Sequence, residues 1–382
     1  MKIPITRPYF DKNEIKELTS TVRSGWVMQG PKVEKFENMF ARYVGAKYAV
    51  ATSSGTTALH LALEASGIGQ DDEIITTAFS FIATANSILY CGAYPAFCDI
   101  EPKTYNLDPE KVESFIKNKC ARNGRKLVNK QTGREIKAIM VVDQVGMPAD
   151  IDSIKRIARK YSLRVIDDAA CALGSKYKGK MVGSATDVTC FSFHPRKVIT
   201  TAEGGMITTN DRKIAEHLRM LRSHGEGKNG TYPHKGYNYR MSDLAASLGV
   251  AQMKKLNKIL SAKKSQAARY DKAFKSMKML AVPFVPKYAS ANYQSYIIQV
   301  LDSSKISREK LVRELGKSGI SAKKGITAIH KEPLYRRLLG SIHLPLTEAA
   351  NKSTLMIPIY PSLKRKEQDY IIKNIRRICK KY

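Results

Sequence analysis

Acidic residues are scarce in this chain of 382 residues. Only 34 Asp and Glu stand against 65 Lys and Arg, which gives a formal net charge of +31. Such an excess can indicate nucleic-acid binding. The basic residues are nevertheless spread along the chain, and their densest clusters, residues 117–137, 254–278 and 364–381, are not interleaved with aromatic residues that could stack on bases. The charge therefore favours attraction of anionic small molecules, or simple solubility, over nucleic-acid binding.

Long apolar runs and paired cysteines are also lacking. No run approaches the ~20 apolar residues that span a bilayer, and the start, MKIPITRPYF, contains no apolar signal-peptide region. The six cysteines lie far apart and form no CxxC pair, which favours free thiols in a reducing compartment over a disulfide framework. We therefore expect a cytoplasmic protein without a membrane span, and we expect no metal site.

Strand-like and helix-like segments alternate along most of the chain. Apolar, β-branched runs predict strands at residues 48–52, 73–77, 94–99, 138–142, 163–166, 188–193 and 206–209. Their alternation with amphipathic helices predicts an α/β fold, a mostly parallel sheet covered by helices on both faces. A very basic polar stretch, residues 118–137, interrupts this pattern and is interpreted as a surface hairpin or loop insertion. Fewer strands in mixed order follow, so we divide the chain into a large domain, residues 1–254, and a small α+β domain, residues 255–382.

Lys197 lies in a polar turn between two of the predicted strands. The stretch around it reads CFSFHPRKVITTAEGGMITTND, which places His194, Thr200 and a glycine pair near the lysine. An imine-forming lysine must lose its proton near neutral pH, and partial burial and neighbouring cations favour that loss. A solvated surface lysine is the ordinary alternative in so basic a chain, and the rest of the sequence decides between the two.

A hydroxyl-rich turn, SSGTT at residues 53–57, follows the first predicted strand and precedes a helix. Free backbone N–H groups and the helix dipole would both point at such a turn, and Gly55 would let a phosphate approach closely. Serine or threonine at this position can also serve only as a helix cap. Residues 52–57, Phe81, Asp143, Asp168 and Lys197 all follow predicted strands, and functional groups in parallel sheets collect at the carboxyl ends of strands.

Together these segments resemble the DegT/DnrJ/EryC1/StrS family of pyridoxal-phosphate (PLP) sugar aminotransferases. The resemblance rests on SGWVMQGPKV, ATSSGTTALHLAL, VIDDAA, FSFHPRKVITTAEGGM and GYNYRMSD, in that order along nearly the whole chain. It implies the fold-type-I architecture of aspartate aminotransferase. It also implies a homodimer with shared active sites that moves an amino group from L-glutamate to a keto-sugar carried by a nucleotide diphosphate.

The resemblance assigns cofactor roles to individual residues. Lys197 matches the lysine that forms the internal aldimine and later shuttles protons, with pyridoxamine phosphate as the intermediate form of the cofactor. Asp168 matches the carboxylate that pairs with the pyridine nitrogen and keeps it protonated. Gly55 and Thr56 match the residues whose backbone holds the cofactor phosphate, and Ser192 matches a hydroxyl donor to that phosphate. Phe81 matches the aromatic residue that stacks on the ring, and Asn238 matches a phosphate ligand from the other subunit.

Three positions depart from the family pattern. Cys171 stands where Gln or His usually bonds the phenolic oxygen of the cofactor, and a thiol is a weak donor. Ala202 stands where glycine is common, and we expect little effect from it. Asp143 ends a predicted strand where His or another polar residue is frequent.

The segment GITAIHKEPLYRR is similar to that of perosamine-synthase-like members, which act at C4 of a 4-keto-6-deoxyhexose on GDP. This similarity suggests that His330, with Glu332 and Tyr335, lines the sugar site, together with Trp26 and Gln29 from the first motif. His330 could equally only cap a turn. Amination at C3 of a dTDP- or UDP-linked sugar is the main alternative activity.

Two further classes of function are compatible with parts of the sequence. A sugar 3-dehydratase uses the same cofactor, but that branch replaces the lysine by His, so Lys197 argues against it. A non-enzymatic basic binding protein would need only the charge, and it would leave the ordered motifs without an explanation.

Overall fold

The structure is a computed structural model that describes residues 2–381, with Lys228 described by its backbone only. Its helices are α1 (Lys12–Arg23), α2 (Pro31–Val44), α3 (Gly55–Ala65), α4 (Ala83–Tyr90), α5 (Pro109–Lys119), α6 (Ile151–Tyr161), α7 (Arg212–Arg222), α8 (Asp243–Lys254), α9 (Leu256–Phe274), α10 (Arg308–Lys317), α11 (Pro333–Leu339), α12 (Pro345–Ser353) and α13 (Arg365–Lys381).

The strands are β1 (Tyr48–Thr52), β2 (Glu73–Thr77), β3 (Tyr94–Cys98), β4 (Cys120–Asn123), β5 (Lys126–Asn129), β6 (Ile136–Val142), β7 (Arg164–Asp168), β8 (Lys176–Tyr177), β9 (Lys180–Met181), β10 (Val188–Ser192), β11 (Gly205–Thr209), β12 (Leu280–Ala281), β13 (Ala289–Ser290), β14 (Tyr296–Val300), β15 (Lys323–Lys324) and β16 (Thr354–Ile357). Short 3-10 turns lie at Gln144–Gly146, Lys228–Gly230 and Ile329–Lys331.

The central sheet has the strand order β1-β11-β10-β7-β6-β2-β3. Only β11 runs against its two neighbours, and the other paired strands are parallel. Almost all of their residues are buried, as expected for strands covered on both faces. This arrangement confirms the predicted α/β fold with a mostly parallel sheet. Because the parallel strands point the same way, their carboxyl ends form one edge of the sheet.

Helices cover both faces through apolar stripes. In α6, Ile151, Ile154 and Ile157 are buried on the side that faces the sheet, and the charged residues of IDSIKRIARKY lie outward. This spacing of three residues is the helical period that the sequence displays. The Asp150 side chain accepts from the Ser153 N–H at the start of the helix, which fixes where α6 begins.

A second sheet has the order β12-β14-β16-β15 and is antiparallel throughout. It packs with α9, α10 and α13 around one apolar cluster, and Ile3 from the start of the chain belongs to that cluster. The mixed α+β character expected after residue 255 is therefore present. The division into residues 1–254 and 255–382 stays a prediction.

The basic stretch at residues 118–137 contains the antiparallel pair β4–β5, as predicted for a surface hairpin. Some boundaries differ from the predictions. The helix expected from Phe79 begins at Ala83, since residues 79–82 form the turn that leaves β2. The strand expected from Tyr293 begins at Tyr296, because Tyr293 has a φ of +53° that no strand residue adopts.

Asp243 joins two helices that are far apart in sequence. Its carboxylate is 1% exposed and accepts from the N–H groups of Gly30, Lys32 and Val33 at 2.9, 2.9 and 3.0 Å. These are the free donors at the start of α2, and Gly30 itself offers no side chain to cap them. The first residue of α8 thus caps α2 from outside.

We expect Asp243→Ala to lower the free energy of unfolding by about 2 kcal/mol, because three buried N–H groups lose a charged acceptor. Asp243→Asn keeps one acceptor oxygen and should lose less. Urea denaturation of both variants measures the difference. An alanine variant as stable as the wild type would show that the α2 cap contributes nothing to folding.

Candidate active site

One edge of the central sheet gathers the predicted site residues. β1, β2, β6, β7 and β10 all end there, and each is followed by a segment that carries polar or aromatic groups. These segments contain the SSGTT turn, Phe81, Asp143, Cys171 and Lys197. The topology therefore brings residues that are far apart in sequence to one place, as expected for a parallel sheet.

The SSGTT turn forms the start of α3. The Ser54 hydroxyl accepts from the Thr57 N–H at 3.1 Å, so Gly55 and Thr56 are the first two residues of the helix and their N–H groups have no intrahelical acceptor. Gly55 lies against the end of β10. A Cβ on Gly55 would come within 2.7 Å of the Ser192 Cβ and 3.0 Å of its Oγ. Glycine is therefore required, and the close approach brings a hydroxyl beside two free N–H groups, an arrangement that suits a phosphate.

Asp168 is a buried carboxylate at the end of β7. It is 5% exposed, its Oδ2 accepts from the Thr84 hydroxyl at 2.7 Å, and its Oδ1 accepts from the Ala170 N–H at 3.2 Å. Burial raises the pKa of the Asp168 carboxyl, while the Thr84 bond and the positive charge of Lys197 oppose that rise. A cation placed against this carboxylate would offset its burial, which is what a protonated pyridine nitrogen does.

Lys197 lies in the turn after β10, where its N–H donates to the His194 carbonyl at 2.8 Å. Its side chain is half-buried, and Nζ donates to the Cys171 Sγ at 3.2 Å. Cys171 lies three residues after the end of β7. This contact therefore places the Lys197 amine next to Cys171, the residue that differs from the family pattern, and both lie beside Asp168.

Asp143 is also buried at this edge. Its N–H donates to the Asp168 carbonyl at 3.1 Å and its Oδ1 accepts from the Ala149 N–H at 2.8 Å. Burial raises the pKa of the Asp143 carboxyl, and the negative charge of Asp168 raises it further. A neutral acid at this position keeps a second negative charge away from Asp168.

Phe81 lies in the segment between β2 and α4 and is 73% exposed. An aromatic ring with this much free surface at the site edge is available to stack on a flat ring. Its assignment as the stacking residue stays a prediction.

Trp26 and Gln29 lie in the turn before α2, where the Trp26 indole N–H donates to the Gln29 carbonyl at 3.2 Å. Trp26 is 53% exposed and packs over Gly30. Within residues 2–381, neither residue has a hydrogen bond to Lys197 or Asp168. Their role in sugar binding stays a prediction.

His330 is placed differently from an open sugar ligand. Its side chain is fully buried, and Nε2 lies 3.3 Å from the Glu348 carboxylate, which also binds Lys331 at 2.8 Å. Burial lowers the pKa of His330. Of the two residues grouped with it, Tyr335 is buried and donates to Asn86 at 2.7 Å, whereas Glu332 is half-buried and precedes α11. A sugar contact by His330 would need this cluster to open, and it stays a prediction.

Asn238 is exposed and lies on the segment that follows α7. The carbonyl of the next residue, Tyr239, accepts from the Ser53 N–H at 2.8 Å, and the Tyr237 and Tyr239 rings stack with centroids 4.9 Å apart. The stacked rings hold the segment against α3, and Asn238 lies between them in sequence. Its service to a second subunit stays a prediction.

Ala202 has a φ of +69°, a region that favours glycine. The expectation of little effect is therefore revised, since an alanine in this conformation carries backbone strain of about 1 kcal/mol. Its N–H is held by the Thr200 hydroxyl at 3.0 Å.

Three residues near the site were not predicted from the sequence: Thr84, Asn292 and Gln294. The sequence signal for Thr84 is a hydroxyl residue in the first turn of α4, the helix that follows β2. Asn292 and Gln294 contact the site from the other end of the chain. Asn292 donates to the Cys171 carbonyl across 121 positions of sequence, and no local pattern marks such a pair.

The fold and the site define a PLP-dependent aminotransferase of fold type I, in which a lysine and a buried carboxylate share one edge of the large sheet. The chain belongs to the DegT/DnrJ/EryC1/StrS aminotransferase family, whose pattern it matches over residues 8–376. It is thus a sugar aminotransferase that depends on pyridoxal phosphate. Within residues 2–381, no helix combines the length and apolar character needed to cross a bilayer.

Curated relatives match over almost their whole length. The spore coat polysaccharide biosynthesis protein SpsC of Bacillus subtilis is 37% identical over 99% of this chain and 97% of its own. Two others are 35% identical over 97% of this chain and 96% of theirs: the GDP-perosamine synthase of Caulobacter vibrioides and the UDP-4-amino-4,6-dideoxy-N-acetyl-beta-L-altrosamine transaminase of Campylobacter jejuni.

Solved structures agree with this assignment. PseC of Helicobacter pylori, an aminotransferase involved in pseudoaminic acid biosynthesis, superposes with a TM-score of 0.91 at 28% identity, covering 100% of both chains. A putative sugar aminotransferase of Streptococcus pneumoniae, solved in a PLP form, has a TM-score of 0.91 at 27% identity and covers 100% of this chain and 99% of its own.

We expect Thr84→Val to weaken cofactor binding about tenfold or more, because a hydrogen bond to a charged group contributes about 1.5–3 kcal/mol. Removing the bond also raises the Asp168 pKa further. The ionised carboxylate then disappears at a higher pH, so cofactor loss on acidification should begin at a higher pH than in the wild type. A fluorescence titration of pyridoxal phosphate at several pH values measures both effects.

Thr84→Ser keeps the hydroxyl and should restore binding. Ser87→Ala is the matched control, since Ser87 is buried on the same helix and its hydroxyl donates to the Thr84 carbonyl and not to the carboxylate. Equal losses in the Thr84→Val and Ser87→Ala variants would show that packing, and not the carboxylate bond, matters at position 84.

Proposed function

We propose that the protein moves the amino group of L-glutamate to C4 of a nucleotide-diphosphate-linked 4-keto-6-deoxyhexose, as a GDP-perosamine synthase does. The grouping of Lys197 with Cys171 beside the buried carboxylate of Asp168 at one sheet edge supports the transamination itself, and the C4 position is supported by the similarity to relatives that form 4-amino sugars. The relative from Campylobacter jejuni is a UDP-4-amino-4,6-dideoxy-N-acetyl-beta-L-altrosamine transaminase, which supports a 4-amino-4,6-dideoxy product.

Each residue has a physical task in this reaction. Bound pyridoxal phosphate supplies a ring that accepts electrons from the bond being broken. Lys197 would hold the cofactor covalently and would move the proton between the substrate carbon and the cofactor carbon in each half of the reaction. Asp168 would hold positive charge at the pyridine nitrogen, and the N–H groups of Gly55 and Thr56 with the Ser192 hydroxyl would hold the phosphate.

Two relatives whose names contain different nucleotides, GDP and UDP, are equally similar to this chain, at 35% identity. Amination at C3 of a dTDP- or UDP-linked sugar is therefore kept as the alternative. The basic excess of the chain suits any nucleotide diphosphate, since long-range attraction to an anion depends on charge and not on the base.

A panel of GDP-, UDP- and dTDP-linked 3-keto and 4-keto sugars, each incubated with glutamate and analysed by mass spectrometry, tests the proposal. We expect amination of a 4-keto-6-deoxy sugar, and none by Lys197→Ala, which should keep its fold because the side chain is half-buried and bonds only a thiol. Exclusive reaction with a 3-keto sugar would select the alternative, and turnover by Lys197→Ala would refute the assigned lysine.

We further propose that the enzyme is a homodimer in which the partner's Asn238 binds the cofactor phosphate. Several large apolar side chains around the site are exposed, which supports an interface with a second subunit there. Their exposed fractions are 53% for Trp26, 61% for Met28, 73% for Phe81 and 65% for Tyr232. So much exposed apolar area is characteristic of interaction surfaces.

Co-expression of Lys197→Ala with Asn238→Ala tests the shared site. If Asn238 acts across the interface, each mixed dimer contains one site with both wild-type residues, and about half of wild-type activity per mixed dimer should return. If Asn238 acts within its own chain, both sites of the mixed dimer are damaged and activity stays at the level of the single variants. Sedimentation of the wild type measures whether the dimer exists.

A further inference from the structure

We propose that Asn292 and Gln294, held by Lys263, form a clasp that positions Lys197 and Cys171 for the aminotransferase reaction. The clasp is the segment Asn292–Gln294, which leads into β14 of the small sheet. The proposal rests on Lys197 being the cofactor lysine, as assigned above.

The clasp bonds the chain next to both members of the Lys197–Cys171 contact. The Gln294 side-chain amide donates to the carbonyl of Arg196, the residue before Lys197, at 2.6 Å. The Asn292 side-chain amide donates to the carbonyls of Cys171 and Leu173 at 2.8 and 2.9 Å. Two nearby side chains of one segment thus fix the backbone at both ends of the 3.2 Å contact between amine and thiol.

The clasp is preformed by its own backbone. The Asn292 Oδ1 accepts from the Gln294 N–H at 2.7 Å, and the Asn292 N–H donates to the Ser175 hydroxyl at 3.1 Å. Tyr293 between them has a φ of +53°, a strained backbone conformation for a residue of this size. The hydrogen bonds of Asn292 and Gln294 hold the strained backbone of Tyr293 in place, which indicates that the position of this turn matters.

Gly146 shows how closely the clasp is seated. Asn292 is 0% exposed, and a Cβ on Gly146 would lie 1.8 Å from the Asn292 Oδ1. Gly146 belongs to the segment after β6, next to Asp143. The clasp therefore contacts the segments that follow β6, β7 and β10 at the same time.

Lys263 holds the clasp from the side of α9. Its Nζ donates to the Gln294 carbonyl at 3.1 Å and to the Ile359 carbonyl at 3.3 Å, and the residue is 3% exposed. Both acceptors are neutral, and burial lowers the pKa of Lys263 to about 7. A buried amine that bonds only carbonyls contributes geometry and not charge pairing.

Through these contacts, the position of the small sheet affects the position of Lys197. Lys263 ties α9 to the segment after β16, the clasp leads into β14, and Gln294 bonds the lysine turn. A shift of these elements moves the Arg196 carbonyl and thereby the amine. Asn292, Gln294 and Lys263 are therefore positioning residues that act through Lys197 and Cys171.

Gln294→Met and Lys263→Met test the clasp in the holoenzyme, because methionine keeps the volume and removes the donors. Two readouts are used: the pH midpoint of the absorption band of the Lys197-linked cofactor, and amide hydrogen exchange in residues 194–198. We expect Gln294→Met to move the midpoint and to speed exchange about tenfold. Lys263→Met should do the same to a smaller extent.

Gln266→Met is the matched control. Gln266 lies one turn further along α9, is also buried, and donates to the neighbouring carbonyl of Tyr360 at 2.9 Å, but it has no bond to the clasp. It should lower thermal stability and leave both readouts unchanged. Wild-type values in Gln294→Met, or equal shifts in Gln266→Met, would overturn the proposal. Borohydride reduction with peptide mapping shows separately whether Lys197 carries the cofactor, so failure of that assignment is distinguishable.

Discussion

The negative charge of Asp168, buried at the end of β7, is the constraint on which the site depends. A carboxylate removed from water needs compensation, and the protein supplies part of it through the Thr84 hydroxyl, the Ala170 N–H and the amine of Lys197. A cation placed against the carboxylate would supply the rest. The buried acid at Asp143 is consistent with this reading, because burial and the charge of Asp168 both favour its neutral form. Burial and the charges of Asp143 and Asp168 also raise the pKa of the neighbouring Asp167, so additional negative charge is disfavoured at this edge.

The same constraint explains why the fold must be a parallel sheet of this order. Asp168, Ser192 and the SSGTT turn come from β7, β10 and β1, and only strands that run the same way place their ends together. The reversed strand β11 lies between β1 and β10. It widens the gap between them, and the start of α3 fills that gap at Gly55. The SSGTT turn and the lysine turn therefore face each other across one strand.

The sequence predicted much of this architecture, and the reasons are local. The strands of the central sheet are short runs of mostly buried residues, and β1 and β2 have the predicted bounds. The hairpin β4–β5 was marked by polar composition alone. Lys197, Asp168 and Gly55 were found from motifs in which a short stretch contains both the turn and the functional group.

What could not be predicted depends on contacts across the chain. Asn292 and Gln294 carry no signal, since their partners lie around residues 171 and 196. His330 sits in a promising motif, yet its surroundings are set by Glu348 on α12, a short helix that periodicity did not reveal. Tyr293 and Ala202 have left-handed backbones although neither is glycine, and such strain is visible only when the packing that imposes it is known.

The short stretch from Tyr237 to Asp243 has a consequence for how this chain can vary. Tyr237 and Tyr239 donate through their N–H groups to Leu221 and Arg222, Tyr239 accepts from Ser53, and Asp243 caps α2. The segment is thus hydrogen-bonded to the end of α7, to the turn after β1 and to the start of α2. An added or deleted residue would uncouple the α2 cap from the β1–α3 turn even if the Asp243 carboxylate were kept. As the sequence diverges, this part of the protein must therefore keep its length as well as the side chain that caps α2.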